Sequence, residues 1–473
     1  MRVLFVNPQG NFDQQDSHLT EHPDFGGQLV YVKEVSMALA QLGVDVDIVT
    51  RRIDDPDWPE FSEPVDYYTG YEDHLHIVRI SCGGPNFLNK ERLWEHLNEF
   101  AENILKFYGD DLPDFATGHY GDGGYSCVLL KQKVGIGFTL TGHSLGAQKL
   151  DKLGTSCENF AQMEQHYQFA KRITAERLSM EQAYKIITST GQERMEQYAH
   201  PLYQGAVDVK DDAKFAVIPP GVNTRIFTTR PAADDETIHR KIADKLCTYE
   251  TKPCVVVSSR FDEKKNHLGA VKAYALSKEL QDKANLGIFI RGIDDPFSEL
   301  ERLPKKDQKI MRPLLAIIEQ QQLKDKVFFL NIQSQKELAS TYRYFAKLGS
   351  VFTLTAFYEP FGLAPIEAAA CGLAVAATKN GGPSEIFEDG SGILVDPFDP
   401  KDMARGFLKG IDEAATYARL GEQRVKTTYT WENTAKSYLK IIAAGAQTTH
   451  TSGFVLPALE DHERLLTYLA TRS

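Results

Sequence analysis

Short apolar runs alternate along the chain with longer stretches whose apolar residues recur at helical spacing. Val3 to Val6 has the pattern of a strand buried on both faces. After a polar loop, Leu29 to Leu42 has the pattern of a helix, ending at Gly43. The next strand follows at Val44 to Val49, and others are predicted at His76 to Ile80, Gly137 to Thr141, Lys185 to Thr188 and Lys214 to Ile218. Helical patterns such as Leu93 to Phe107 and Phe160 to Ala183 separate several of them. This alternation predicts βαβ units and a parallel sheet covered by helices.

A second run of the same kind begins after Pro219-Pro220-Gly221. Its strands are predicted at Cys254 to Ser258, Leu286 to Ile290, Val327 to Leu330, Ser350 to Leu354, Ala374 to Ala377 and Gly392 to Val395. Pro219-Pro220-Gly221-Val222-Asn223 breaks both patterns, and the charge-rich stretch up to Thr251 reads as a connection plus the first helix of a second domain. The fold class is therefore α/β, with two doubly wound domains facing a cleft. In such sheets ligands bind beyond the carboxyl ends of the strands, so the residues following each strand are where chemistry is sought.

Composition narrows the function classes. Of 473 residues, 42% are hydrophobic and 25% charged, with 35 Gly and 21 Pro, which excludes disordered, collagen-like and low-complexity chains. The balance of 53 Lys plus Arg against 65 Asp plus Glu, a net charge of -12, opposes nucleic acid and anionic membrane as partners. Small cation clusters can still hold a small anion. Six scattered cysteines without a C-x-x-C pair, in a chain too large to need disulfides, read as reduced thiols of a cytoplasmic protein. The N-terminal apolar run stops at Asn7-Pro8, unlike a signal peptide, and no apolar run approaches the roughly 20 residues that span a bilayer.

Three post-strand loops carry candidate chemistry. Gly26-Gly27-Gln28 precedes the first helix, where absent Cβ atoms admit close approach of a substrate and the helix start favours an anion; a plain helix start is the alternative. The spacing is not the G-x-G-x-x-G of a dinucleotide fold. Arg260 and Lys265, after the first strand of the second half, are placed to grip a diphosphate or to lie in a solvated turn. The third loop, Phe357 to Glu367, leads into a helix predicted from about Ala364 to Cys371, with Glu359 in the loop and Glu367 in the first helical turn. There the N–H groups of Gly362 and Leu363 can hold a phosphate. The two carboxylates suit hydroxyl groups on either side of it, although Glu367 alone is also explained by the helix dipole. No D-x-D pair demands Mg²⁺, since Asp45-Val46-Asp47 lies in a predicted strand.

Glu359 and Glu367, with Arg260, Lys265, Ile218 to Asn223 and Gly26-Gly27-Gln28, resemble the retaining nucleotide-sugar glycosyltransferases of the GT-B fold. Within that group the chain resembles the sucrose-phosphate synthase family over essentially its whole length. The matching stretches are Asn7 to Gly10, His22 to Gln28, Gly118 to Gly124, Thr141 to Gly146, Thr188 to Thr190 and Thr378 to Pro383. The resemblance implies transfer of glucose from UDP-glucose, ADP-glucose or GDP-glucose to fructose 6-phosphate, with retention and no required cofactor. It implies an acceptor domain of residues 1–225, joined by a returning C-terminal helix at about 455–473, and a donor domain of residues 226–454. The segment from Trp431 to Leu466 reads as helical, with breaks between Thr448 and Gly453 and at Pro457. The long terminal extensions of plant members are not expected here.

By the same resemblance, Arg260, Lys265, Gly362 and Leu363 hold the diphosphate, Glu359 the donor sugar, Glu367 the ribose and Gly27 the donor, while His143 orients the donor glucose. Retention by double displacement would require a carboxylate nucleophile, for which Glu359 is the one candidate. The resemblance favours a front-face route in which the leaving phosphate helps deprotonate the acceptor. Gly26 and Gln28 would lie near the fructose ring, and Lys90, Tyr120, Ser144, Lys149 and Arg172 would bind its phosphate. Read without the resemblance, Lys90, Lys149 and Arg172 are solvated surface charges. A sucrose synthase using free fructose, a non-catalytic nucleotide-sugar-binding protein and a Rossmann dehydrogenase are the alternatives.

Overall fold

The computed structural model describes residues 1–18, 24–448 and 450–472. The chain divides into two compact units, Met1–Pro220 with Trp431–Ser473, and Gly221–Thr430. In the first, the strands are β1 (Arg2–Val6), β2 (Asp45–Arg51), β3 (Val65–Tyr67), β4 (Leu75–Ile80), β5 (Phe115–His119), β6 (Phe138–Thr141), β7 (Lys185–Thr188) and β8 (Phe215–Val217). They form one sheet in the order β3-β4-β2-β1-β5-β6-β7-β8. Its pairs are parallel except for β3, which lies antiparallel along β4 at the edge. The second unit holds β9 (Cys254–Val257), β10 (Asn285–Ile290), β11 (Val327–Asn331), β12 (Val351–Leu354), β13 (Ala374–Thr378) and β14 (Ile393–Val395). These pair in parallel in the order β11-β10-β9-β12-β13-β14.

The hydrophobic pattern missed the centre of the first sheet. β5, Phe-Ala-Thr-Gly-His, has three polar or glycine residues of five, yet all five are buried between β1 and β6. The helix that follows it, Tyr120–Val134, was also missed because Gly121, Gly123 and Gly124 lower its helix propensity. Those glycines answer to packing: a Cβ at Gly123 would come 2.3 Å from the Val6 carbonyl oxygen, and one at Gly124 would come 2.7 Å from Leu140 Cδ1. The predicted helix Phe160 to Ala183 is two helices, Phe160–Tyr167 and Phe169–Gln182, because Gln168 takes a left-handed φ of 48° between them.

The predicted domain limits also shift. Val222 belongs with the second unit, where its N–H donates to the Tyr429 carbonyl at 2.9 Å. The return to the first unit begins at Trp431 rather than at about residue 455. Helix Trp431–Ala446 lies along helix Gly27–Gln41 and buries Ala435, Tyr438 and Ile442 in the core formed by Val3, Phe5, Val32 and Val35. The Tyr438 hydroxyl bonds those of Tyr31 (3.0 Å) and Thr141 (2.8 Å). Helix His462–Ala470 follows and buries Leu465 and Leu469 against the same unit. Among the described residues no helix is long and apolar enough to cross a membrane.

Ile442 is fully buried in this seam. Ile442→Ala removes its side chain from a packed core and is expected to destabilise the protein by about 2–5 kcal/mol. Urea unfolding measures this directly, and an unchanged midpoint would place the returning helix outside the folded core.

Candidate active site

In the second unit the parallel pairing of β9 with β12 makes the loops that follow them neighbours. The β9 loop carries Arg260 and ends in a single 3-10 turn, Glu263–Lys265. The β12 loop carries Phe357 to Gly362. Backbone bonds join the two loops, with Phe357 N–H donating to the Lys264 carbonyl at 2.9 Å and the Thr355 hydroxyl to the Asn266 carbonyl at 3.0 Å. The Lys265 ammonium is thereby brought onto the Glu359 carboxylate, and the two form a half-buried ion pair. Arg260 is exposed and makes no ion pair among the described residues, so its guanidinium is open to an anion.

A third loop fixes the Glu359 backbone. Glu359 N–H donates to the Asn380 carbonyl (3.1 Å), and the Glu359 carbonyl accepts from Gly382 N–H (2.8 Å). A Cβ at Gly381, whose φ is 96°, would lie 2.0 Å from the Glu359 carbonyl oxygen, and one at Gly382 would lie 2.1 Å from that of Phe361. The Gly381-Gly382 pair is therefore required by close approach of two backbones.

The next helix runs over Leu363–Ala370, with Gly362 as its cap at φ 111°. Its start at Leu363 puts Pro365 third and Glu367 fifth, so Glu367 lies beyond the first turn, correcting the expected placement and removing the dipole as its explanation. The amides of Gly362 and Leu363 donate to no acceptor among the described residues. Glu367 instead lines a pocket of about 950 Å³ with Ser258, Arg260, Lys265, Arg291 and Tyr342. Burial pushes its carboxyl up to about 7.

In the first unit the loops after β1, β5 and β6 supply the remaining predicted residues. Gly26 caps helix Gly27–Gln41, and Cβ atoms at either glycine would meet nothing within 4 Å among the described residues. The Gln28 amide reaches Asn7 Oδ1 at 3.4 Å. His22 and Pro23, in the stretch before these glycines, lie outside the described residues.

Lys90, Tyr120, Ser144, Lys149 and Arg172 form one connected cluster rather than scattered surface charges. Arg172 is buried, donating from Nε to Glu176 (2.9 Å) and from Nη2 to the Ser144 carbonyl (2.6 Å), with its guanidinium 4.5 Å from the Tyr120 ring centre. Lys90 pairs with Asp24 at 2.8 Å. Burial works against its charge, but Asp24 outweighs burial and Lys90 titrates above an ordinary lysine. Lys149, on the short helix Gly146–Lys152, lies 3.7 Å from Glu91. Burial first, then the neighbouring charge of Arg172, lowers it to about 8.

His143 follows β6 with a left-handed φ of 56°, and its Nε2 lies 2.9 Å from Nδ1 of His119. The predicted residues thus fall into two groups. His143, Gly26, Gly27, Gln28 and the cation cluster lie in the first unit, and Arg260, Lys265, Glu359, Gly362, Leu363 and Glu367 in the second. Sequence reasoning gave no role to Asp24, Glu91 or His119. For His119 the available signal was its position at the end of a strand, which the missed β5 concealed.

The family described as "Glycosyl transferases group 1" matches residues 239–427, and "Sucrose synthase first GT-B domain" matches residues 1–246. A probable sucrose-phosphate synthase of Thermosipho melanesiensis is 45% identical over 445 residues, covering 93% of this chain and 96% of the relative. One from Craterostigma plantagineum is 31% identical over 93% of the chain, which spans 47% of that plant relative. Among solved structures, sucrose-phosphate synthase from Thermosynechococcus elongatus aligns with TM-score 0.64 at 25% identity, covering 94% of this chain and all of that one. Anabaena HepE in complex with UDP and glucose aligns at 0.58 and 15% identity, over 94% of this chain and all of its own, and shares the fold.

Gly381→Ala is expected to displace the Glu359 backbone and abolish binding of a nucleotide sugar, read by titration calorimetry with UDP-glucose. Wild-type affinity in a folded variant would contradict a role for the Gly381-Gly382 approach in holding Glu359.

Proposed function

We propose, from the premise that this chain belongs to the sucrose-phosphate synthase family of glycosyltransferases, that it makes sucrose 6-phosphate by moving glucose from UDP-glucose, or ADP-glucose or GDP-glucose, to fructose 6-phosphate. The observation that carries the acceptor is the cluster of Lys90, Lys149 and Arg172 around Tyr120 and Ser144. Three cations converging from separate segments suit a phosphate dianion, whereas an unphosphorylated ketose has no charge for them to meet.

On the donor side Arg260, Lys265 and the amides of Gly362 and Leu363 meet the diphosphate. Charge grows on it as the glucose C1–O bond breaks, and preorganised donors of this kind contribute about 10²–10³ each to the rate. No resident metal or cofactor is assigned to that task. Lys265, paired with Glu359 in the free enzyme, turns to the phosphate, and Glu359 is released to accept from the donor sugar's hydroxyls. Glu367 accepts from the ribose, and His143 orients the glucose. In the front-face route the new bond forms between glucose C1 and the fructose anomeric oxygen while that hydroxyl's proton passes to the leaving phosphate, so configuration is retained without a covalent intermediate. We further place the protein in a reducing cytoplasm, a reading supported by its six unpaired cysteines.

Release of the nucleotide diphosphate from UDP-glucose is expected with fructose 6-phosphate and not with fructose or without acceptor, and it persists in EDTA. Release with fructose alone would make the protein a sucrose synthase. A second expectation concerns pH. Above about 8 Lys149 loses its charge, so kcat/KM for fructose 6-phosphate falls from pH 7 to 9, while Lys149→Arg, charged throughout, flattens the profile. Identical profiles in the two enzymes would remove Lys149 from the phosphate site.

A further inference from the structure

We infer that His119 is a positioning residue whose Nδ1–H donates to His143 Nε2 and so locks His143 as the neutral tautomer carrying its proton on Nδ1. Its importance for turnover rests on the reading of His143 given above, but the tautomer itself follows from geometry alone.

His119 ends β5, fully buried, with Phe5 stacked against its ring at 5.2 Å and the His143 ring meeting it edge to edge, 27° from coplanar, at 5.2 Å between centres. Both of its nitrogens are engaged, Nδ1 with His143 Nε2 at 2.9 Å and Nε2 with the Thr117 hydroxyl at 2.8 Å. Two imidazoles that share one such contact need one donor and one acceptor, so two imidazolium rings would set N–H against N–H. Burial keeps both neutral, His143 lowered to about 3 and His119 well below the ordinary value.

The direction of the relay is set at its buried end. The Thr117 hydroxyl is fully buried and has no partner but His119 among the described residues. If it accepted from His119, its own proton would be stranded in the core at about 1–3 kcal/mol, and donating avoids that cost. Thr117 O–H therefore donates to His119 Nε2, the His119 proton sits on Nδ1, and His143 Nε2 is an acceptor. That leaves the His143 proton on Nδ1, which has no partner among the described residues. His143 thus offers substrate a hydrogen-bond donor and not a lone pair, which fits contact with a sugar oxygen and excludes proton abstraction at Nδ1.

The backbone supports a held orientation. The left-handed conformation of His143 is unfavourable for a non-glycine residue, and a 2.6 Å bond from Ser144 N–H to the Gly142 carbonyl maintains the turn. Tyr31 closes edge-on against the ring at 5.0 Å.

Neutron diffraction from deuterium-exchanged crystals of the wild-type protein reads the tautomer directly. Deuterium is expected on His119 Nδ1 and His143 Nδ1, and deuterium on His143 Nε2 would overturn the inference. Kinetics supply the second arm. His119→Asn keeps an N–H near the Nδ1 position and is expected to stay within about threefold of wild-type kcat. His119→Asp presents only an acceptor, forces the opposite tautomer, and is expected to lower kcat at least about tenfold with KM for fructose 6-phosphate unchanged. Equal kcat in the two folded variants would count against the positioning role. If His143→Gln turned over normally while the neutron maps showed the expected deuterium, the role given to His143 would fail and the tautomer assignment would stand.

Discussion

Parallel strand pairing is the constraint from which the chemistry of both units follows. In a parallel sheet every strand delivers its following loop to the same edge, so residues far apart in sequence become neighbours whenever their strands pair. β9 and β12 pair, and residues 94 positions apart, Lys265 and Glu359, come into contact. β5 and β6 pair, and His119 comes within a hydrogen bond of His143. Removing the side chains at Gly381 and Gly382 admits the third loop of the donor group, the one that follows β13.

A second constraint is electrostatic. The chain is strongly acidic yet handles two phosphate-bearing substrates, and its cations are held ready by carboxylates. Lys90 has Asp24, Lys149 has Glu91, Arg172 has Glu176, and Lys265 has Glu359. In the free enzyme these pairs limit self-repulsion among converging cations and fix the side chains in place. Arg260 alone among the assigned cations has no ion-pair partner among the described residues, so under the proposed reading a diphosphate would meet one unopposed charge and one that must exchange its partner. In the proposed reaction, exchange of Lys265 from Glu359 to phosphate would link arrival of the leaving group to release of the carboxylate proposed to grip the sugar.

Much of this was legible in the sequence, for identifiable reasons. Strands such as Val3 to Val6 and Cys254 to Val257 are buried on both faces and read as continuous apolar runs. β5 did not, because Thr117, Gly118 and His119 interrupt its apolar run. The helix after it was hidden by glycines that serve packing against Val6 and Leu140 and not flexibility. The donor motif was readable because its residues lie within one loop and helix, whereas the Asn380 to Gly382 clamp on Glu359 is non-local and leaves no periodic trace. The return at Trp431 was read as helix, but the unit to which it belongs is decided by Tyr438 and Ile442 meeting the first helix, which spacing does not encode.

A crystal structure with UDP and fructose 6-phosphate bound tests the central claim, that each anion is received by the cation group assembled at the strand ends of one unit. The fructose 6-phosphate phosphate is expected against Lys90, Lys149 and Arg172, and the diphosphate against Arg260, Lys265 and the Gly362 and Leu363 amides. A phosphate bound away from the Lys90, Lys149 and Arg172 cluster would contradict it.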